Sequence, residues 1–195
     1  MSSRDNILNA IAKNQPLNTA IPEIDFLKED SINLTEGFIN ILKNIGGSVI
    51  IIKSIDDIGS YVAQNYDPAS RKVTTLPGLK NVMEILDKNS IIPHTLSNIE
   101  LAIVGAQFGV AENGAVWITE NMMGQRAFPF ICQHLAVVLN ARDIVSTMHE
   151  AYERIGADDY GFGTFIAGPS KTADIEQSLV LGAHGARSMT IFLMT

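Results

Sequence analysis

The sequence predicts one α/β domain with a mostly parallel sheet and flanking helices. Short apolar segments with the length of buried strands alternate with segments that have the spacing of amphipathic helices. This alternation is typical of βαβ units, in which a helix connects two parallel strands. A chain of 195 residues with 46% hydrophobic and 18% charged residues is large and apolar enough to bury a core.

The predicted elements follow one another along the chain without an internal repeat. Residues 1–30 are expected to form a helical extension, and residues 31–195 the α/β domain. The predicted strands are residues 49–52, 72–76, 100–106, 115–120, 134–140, 163–168 and 189–194. The predicted helices lie within residues 1–20, 31–45, 56–66, 79–87, 146–155 and 173–182. The strands near residues 110–120 follow each other too closely for a helix, which predicts an antiparallel part of the sheet.

Composition excludes several classes of function. The formal net charge of −7 and the absence of a dense Lys/Arg run argue against a nucleic-acid partner. The longest apolar stretches are too short to span a membrane, and no signal peptide is recognised, so we expect a protein of the cytoplasm. The single cysteine, Cys132, cannot form an internal disulfide or ligate an iron–sulfur cluster without other chains.

The most specific stretch is the loop at residues 168–176. A predicted strand ends at Gly168, and a helix is expected to begin near Ser170 or Thr172, whose hydroxyls are good N-caps. The free N–H groups of a helix start could hold a carboxylate at the carboxyl edge of the sheet. Asp174 and Glu176 argue against a highly charged anion there. Alternatively, the hydroxyls only cap the helix and Asp174 only complements its dipole.

A second candidate is the turn formed by Glu112, Asn113 and Gly114. Asn-Gly between two strands is a strong hairpin signal, because both residues tolerate positive φ. One interpretation is therefore a structural turn with a solvated glutamate. The other is a functional carboxylate, since a glutamate can act as a nucleophile toward activated acids.

The remaining candidates are isolated polar residues. His184 follows a predicted helix end and is either a dipole partner or a proton carrier. Arg126 lies in a polar loop and could bind a carboxylate with two hydrogen bonds, although surface solvation is the more common role of such a residue. The four histidines do not have the spacing of a metal site, so no metal ligands are assigned. The sequence identifies no cofactor.

Two runs in the second half carry a family resemblance. These are Gly168-Pro-Ser-Lys-Thr-Ala-Asp-Ile-Glu176 and Leu181-Gly-Ala-His-Gly185, with support from Pro129 and His134. Together they resemble the C-terminal signature of the lactate-utilization protein C family, which carries the LUD domain. Asn113 and Ala186 depart from the family pattern, which has threonine and proline there.

The resemblance implies both a fold and a function. The fold is that of the ribose-5-phosphate isomerase and CoA-transferase superfamily, which is Rossmann-like. The family occurs with two iron–sulfur partner proteins, and together they oxidise L-lactate to pyruvate. We assign catalytic roles to Glu112, Asp174 and His184. The residues expected to bind a small organic acid are Asn113, Gly114, Arg126, Gly168, Pro169, Ser170, Thr172 and Gly185.

Three hypotheses about function follow from these motifs. The first is a subunit of a lactate-oxidising system, in which Glu112 and the turn at residues 170–174 face one cleft. The second is a CoA-transferase-like enzyme, because Glu112-Asn113-Gly114 is similar to the nucleophile motif of family I CoA-transferases, with Ala111 in place of serine. The third is a non-catalytic assembly or regulatory subunit. A homo-oligomer is compatible with all three.

Overall fold

A six-stranded parallel sheet forms the centre of the structure. The computed structural model describes residues 2–17, 19–20, 22–23, 33–86, 92–175 and 178–195. In spatial order the strands are β1 (Ser48–Ile52), β12 (Ser188–Met194), β7 (His134–Asn140), β4 (Leu101–Gly105), β2 (Lys72–Thr74) and β3 (Glu84–Ile85). All five strand pairs are parallel. Every residue of β4 is buried, as expected for a central strand covered on both faces.

The antiparallel strands form separate sheets. A four-stranded sheet contains, in order, β8 (Ile144–Val145), β5 (Phe108–Val110), β6 (Ala115–Thr119) and β9 (Gly163–Ile166). Its pairs β5–β6 and β6–β9 are antiparallel. A further antiparallel pair joins β10 (Lys171–Ile175) and β11 (Ser178–Leu181). The expected antiparallel region is therefore present, but as a second layer outside the parallel sheet.

Helices α2 (Leu34–Asn44) and α3 (Ile55–Asn65) pack on opposite faces of the parallel sheet. The other α-helices among the described residues are α1 (Ser3–Lys13), α4 (Glu120–Met123), α5 (Phe128–Ile131) and α6 (Met148–Ile155). Phe38 and Leu42 of α2 are buried in the core on one face, and Ile58 and Val62 of α3 in the core on the other. The first helix lies where the sequence predicted one, and none of its residues is buried. No helix among the described residues is long and apolar enough to cross a membrane.

Two predicted helices are wrong. Residues 79–87 have helical spacing, yet the chain there forms a 3₁₀ turn at Pro77–Leu79 and the edge strand β3. The strand is preferred because β2 offers a free edge, with Val73 opposite Glu84. The described residues at 173–175 and 178–181 are extended and belong to β10 and β11. Pairing between these two strands overrides the N-cap signals in the sequence.

Candidate functional site

The hairpin that carries Glu112 is confirmed by the structure. Residues 111–114 connect β5 to β6, and the backbone N–H of Gly114 donates to the carbonyl of Val110 at 2.9 Å. Asn113 Oδ1 accepts from the N–H of Ala115 at 3.0 Å. Gly114 has φ of +69°, and a Cβ there would lie 3.1 Å from the backbone of Leu42. Glycine is therefore required both by the turn and by the close approach of α2.

The carboxylate of Glu112 is exposed and has a structural partner. Its Oε2 accepts a 2.7 Å hydrogen bond from the backbone N–H of Met148, the first residue of α6. The Glu112 N–H donates to the carbonyl of Ser146 at 2.9 Å. A negative charge at a helix N-terminus is stabilising, so Glu112 ties the hairpin to α6.

The loop after β9 is held by backbone contacts. Gly168 has φ of +73°, and a Cβ there would lie 3.0 Å from the carbonyl oxygen of Ile45 at the end of α2. Lys171 Nζ donates to the same Ile45 oxygen. The backbone of Ser170 makes two hydrogen bonds. Its N–H donates to the Ala186 carbonyl at 2.9 Å, and its carbonyl accepts from the Gly182 N–H at 3.0 Å.

The predicted position of the loop, at the carboxyl edge of the parallel sheet and before a helix, is wrong. Gly168 follows a strand of the four-stranded sheet, so the loop does not lie at the carboxyl edge of the parallel sheet. The chain continues into β10, so no helix dipole is available to hold an anion. Thr172 pairs with Val180 in the hairpin. Asp174 lies in β10, but its side chain is outside the described part of the structure, as is Glu176.

A cavity of about 260 Å³ opens between this loop and the segment around His184. A Cβ on Gly185 would lie 3.0 Å from Ser170 Cβ, so the two loops pack directly against each other. The cavity is lined by Pro129, Phe130, Leu135, Phe165, Ile166, Ala167, Gly168, Pro169, Ser170, His184, Gly185 and Ala186. The structure thus brings together five of the residues selected from the sequence: Gly168, Pro169, Ser170, His184 and Gly185.

The apolar wall of the cavity was missed by sequence reasoning. Phe130 and Phe165 come from elements far apart in the chain, and Leu135 is the second residue of β7. Phe130 and Leu135 lie in the segment beginning at Pro129 that supported the resemblance, and Phe165 lies just before the Gly168 loop, but none of the three was selected as a site residue. Phe130 is 40% exposed, which is high for a phenylalanine. The mixture of hydroxyl, imidazole and apolar surface fits a small ligand with one polar and one apolar end.

Arg126 is placed in an ion pair outside this lining. Its guanidinium donates to both carboxylate oxygens of Glu120, at 2.7 and 2.9 Å, and lies 5.1 Å from the centre of the Phe162 ring. These hydrogen bonds hold the pKa of the Glu120 carboxyl below its ordinary value. Glu112 and Arg126 are not part of the cavity lining.

The hairpin and the Gly168 loop nevertheless lie at the same end of the four-stranded sheet. The antiparallel register sets Val116 opposite Ile166, so the loop before β6 and the loop after β9 are neighbours. A Cβ on either Gly114 or Gly168 would lie 3.4 Å from Ile45 Cδ1. The described residues contain no group of three His, Cys, Asp or Glu side chains placed to hold a metal ion.

Comparison with known proteins agrees with the fold and the motifs. The family model of the LUD domain matches residues 80–194. An uncharacterized protein of Neisseria meningitidis serogroup B is 25% identical over 98% of this chain and 93% of its own length. The crystal structure of a DUF162 family protein from Deinococcus radiodurans has a TM-score of 0.65 at 17% identity, covering 83% of this chain and 96% of that one.

Two further relatives share the name lactate utilization protein C. The protein from Bacillus pumilus is 31% identical over 45% of this chain and 42% of its own length. The protein from Deinococcus radiodurans is 26% identical over 60% of this chain and 58% of its own length. The chain thus spans about half the length of each of these two relatives. Because the LUD domain match covers more than half of the sequence, the chain belongs to the LUD domain family.

Proposed function

We propose that this protein acts in lactate utilization, as a subunit of a system that oxidises L-lactate to pyruvate. The observation that carries the proposal is the cavity between Ser170 and His184, which lies within the part of the chain that matches the LUD domain. The names of the two lactate utilization relatives supply the substrate class. The cavity is the proposed site of a small organic acid.

The lining suits a molecule of this kind. Lactate has a methyl group at one end and oxygen atoms at the other. Phe130, Phe165 and Leu135 supply apolar surface for the methyl group, and Ser170 and His184 supply hydrogen-bonding groups for the oxygens.

Electron transfer is assigned to partner proteins. Oxidation of lactate to pyruvate releases two electrons and two protons, so an acceptor is required. The one cysteine of the chain, Cys132, is 2% exposed, so thiolates for an iron–sulfur cluster would come from other chains. Partners that carry iron–sulfur clusters would take the electrons, while this subunit binds the acid.

Growth on defined carbon sources tests the proposal. Deletion of the gene should impair growth on L-lactate and spare growth on pyruvate. Wild-type protein supplied from a plasmid should restore growth, and His184→Ala should restore it poorly. His149→Ala is the matched control, because His149 is exposed on α6 and lies outside the cavity lining.

The outcomes separate the alternatives. Normal growth of the deletion strain on lactate, with no second pathway present, would overturn the role in lactate utilization. If the deletion fails on lactate but His184→Ala, at normal protein level, restores growth as well as His149→Ala, the cavity is not the site. The assembly role would then be the better description.

A further inference from the structure

A second cavity lies at the amino end of the parallel sheet, on the face covered by α3. Its volume is about 390 Å³. It is lined by Ser48, Tyr61, Asn65, Tyr66, Asp67, Ser70, Glu100, His134, Ser188 and Thr190. His134 and Ser188 are the first residues of β7 and β12 and are opposite each other in the parallel register. None of these lining residues belongs to the Ser170–His184 cavity.

Three of the lining side chains form a connected chain of polar groups. Ser188 Oγ lies 2.7 Å from His134 Nδ1, which is a short hydrogen bond. On the other side of the ring, His134 Nε2 lies 3.5 Å from Glu100 Oε1. The Tyr66 ring packs edge-on against the imidazole, with the centroids 5.8 Å apart, and limits its rotation. The imidazole is 29% exposed, so it is accessible from the cavity.

The Glu100 carboxylate lies beside one of the two ring nitrogens of His134, Nε2. A carboxylate beside Nε2 favours the tautomer with hydrogen on Nε2. Nδ1 of His134 is then an acceptor, and the Ser188 hydroxyl donates to it. The same arrangement activates a serine nucleophile in hydrolases. The carboxylate orients the imidazole, and the imidazole accepts the proton of the hydroxyl. Long contacts such as the 3.5 Å one commonly tighten when a substrate binds.

We propose that this cavity is a second reactive site, in which Ser188 accepts the acyl group of a small neutral ester or thioester and His134 acts as its base. Ser188 Oγ forms a bond to the acyl carbon while its proton passes to His134 Nδ1. The bond from the acyl carbon to the leaving oxygen or sulfur then breaks, and that atom receives the proton from His134. Water repeats the two steps, releases the acid and restores the hydroxyl.

The charges around the cavity select the substrate class. Glu100 and Asp67 both line it, and the nearby ammonium of Lys72 is bound to the carbonyls of Asp67 and Ser70, each at 2.7 Å. The two carboxylates disfavour an anionic acid such as lactate. Burial raises the pKa of Tyr66 to about 12, so its phenol stays neutral and adds no further negative charge.

Two further hydroxyl groups that line the cavity can stabilise the transition state. Thr190 lies two residues beyond Ser188 on β12, so both side chains point to the same face of the sheet. Ser48 of β1 is opposite Thr190 in the register. Hydroxyl donors at this position can bind the oxygen on which negative charge develops.

The experiment uses the full chain and a fluorophosphonate probe, which reacts with activated serines and loses fluoride. Mass spectrometry of the wild-type protein should place the adduct on Ser188. Hydrolysis of 4-nitrophenyl acetate should also be detectable, and an anionic ester of the same phenol should react about tenfold more slowly.

Ser188→Ala should abolish labelling and lower hydrolysis about 10³-fold. His134→Gln should lower both about 10²-fold or more.

Ser97→Ala is the matched control, because Ser97 is exposed and lies outside both cavities. It should label and hydrolyse like the wild type. An adduct on another serine, or no adduct on folded wild-type protein, would overturn the proposal whether or not Ser188→Ala folds. Equal rates of labelling and ester hydrolysis for the wild type and His134→Gln would also overturn the proposal. The imidazole would then only orient the strand ends.

Discussion

The carboxylate of Glu112 accepts a hydrogen bond of 2.7 Å from the backbone N–H of Met148, where α6 begins. This contact joins a hairpin of the four-stranded sheet to a helix 36 residues later in the chain. Glu112→Ala removes it and should lower the free energy of unfolding by about 1 kcal/mol, as loss of a helix-capping group does. Urea unfolding followed by circular dichroism measures the change.

Two control variants accompany Glu112→Ala: a conservative change at the same position and an alanine substitution of another glutamate. Glu112→Gln keeps an acceptor oxygen and should cost less than the alanine variant. Glu153→Ala changes an exposed glutamate on α6 and should stay within about 0.5 kcal/mol of the wild type. Equal stability of Glu112→Ala and the wild type would show that the contact contributes nothing to folding.

The CoA-transferase hypothesis for Glu112 stays a prediction with its own test. A nucleophilic glutamate would form an acyl thioester with coenzyme A, which borohydride or hydroxylamine converts to a stable derivative on that residue. Incubation with several acyl-CoA donors and mass mapping would detect it. Unmodified Glu112 with all of them would exclude this chemistry and leave the helix-anchoring role intact.

Gly168 should be intolerant of any side chain. Its φ of +73° disfavours alanine, and the added Cβ would lie 3.0 Å from the Ile45 carbonyl. We expect Gly168→Ala to lower the free energy of unfolding by about 2–3 kcal/mol. Gly156→Ala is the control, because Gly156 has φ of +54° but its nearest neighbour is 3.5 Å away. If the two variants lose equal stability, the Ile45 contact has no effect.

The ion pair between Arg126 and Glu120 predicts a titration shift. The hydrogen bonds from Arg126 lower the pKa of Glu120 from its ordinary value of 4.5, so Arg126→Ala should raise it. Because the folded-state pKa is lowered, the pair stabilises the fold above the unfolded pKa and ceases to do so as pH falls through the folded value. Carboxyl NMR titration of Glu120 in both proteins measures this. An unchanged value would mean that the pair is absent in solution.

The thiol of Cys132 should react very slowly with alkylating reagents in the folded protein. Burial raises the pKa of its thiol from 9.0 to about 12, which lowers the thiolate fraction about 1,000-fold at a given pH. Iodoacetamide should therefore label the native protein very slowly and the urea-unfolded protein readily. Rapid labelling of the native protein would show that the segment around Cys132 opens in solution.

The sequence predicted best those features that depend on local pattern. The strand at His134–Asn140 has the predicted bounds, since it is one continuous apolar run. The Glu112 turn also followed from local residue types. The hairpin of β10 and β11 was missed because the polar residues after Ser170 favour a helix start. Their backbone instead pairs with a segment whose position only the complete fold determines.

The cavities could not be predicted for a related reason. Ser170 and His184 were both selected from the sequence, but Phe130 and Phe165 reach the same space only through tertiary packing. In the sequence, His134 only supports the family resemblance. Its contacts with Ser188 and Glu100 join residues from three strand ends, and no local spacing encodes such a meeting.

The first two residues of β7 separate the two cavities, since His134 lines one and Leu135 lines the other. Successive side chains on a strand point to opposite faces, so the strand acts as a partition with a different surface on each side. A shift of β7 by one residue would turn each side chain to the opposite face, so that Leu135 could lie beside Ser188 while the imidazole of His134 turned away from it. Both sites would then be lost although every side chain was still present. The pairing of β7 with its neighbours therefore sets the chemical identity of both cavities at once.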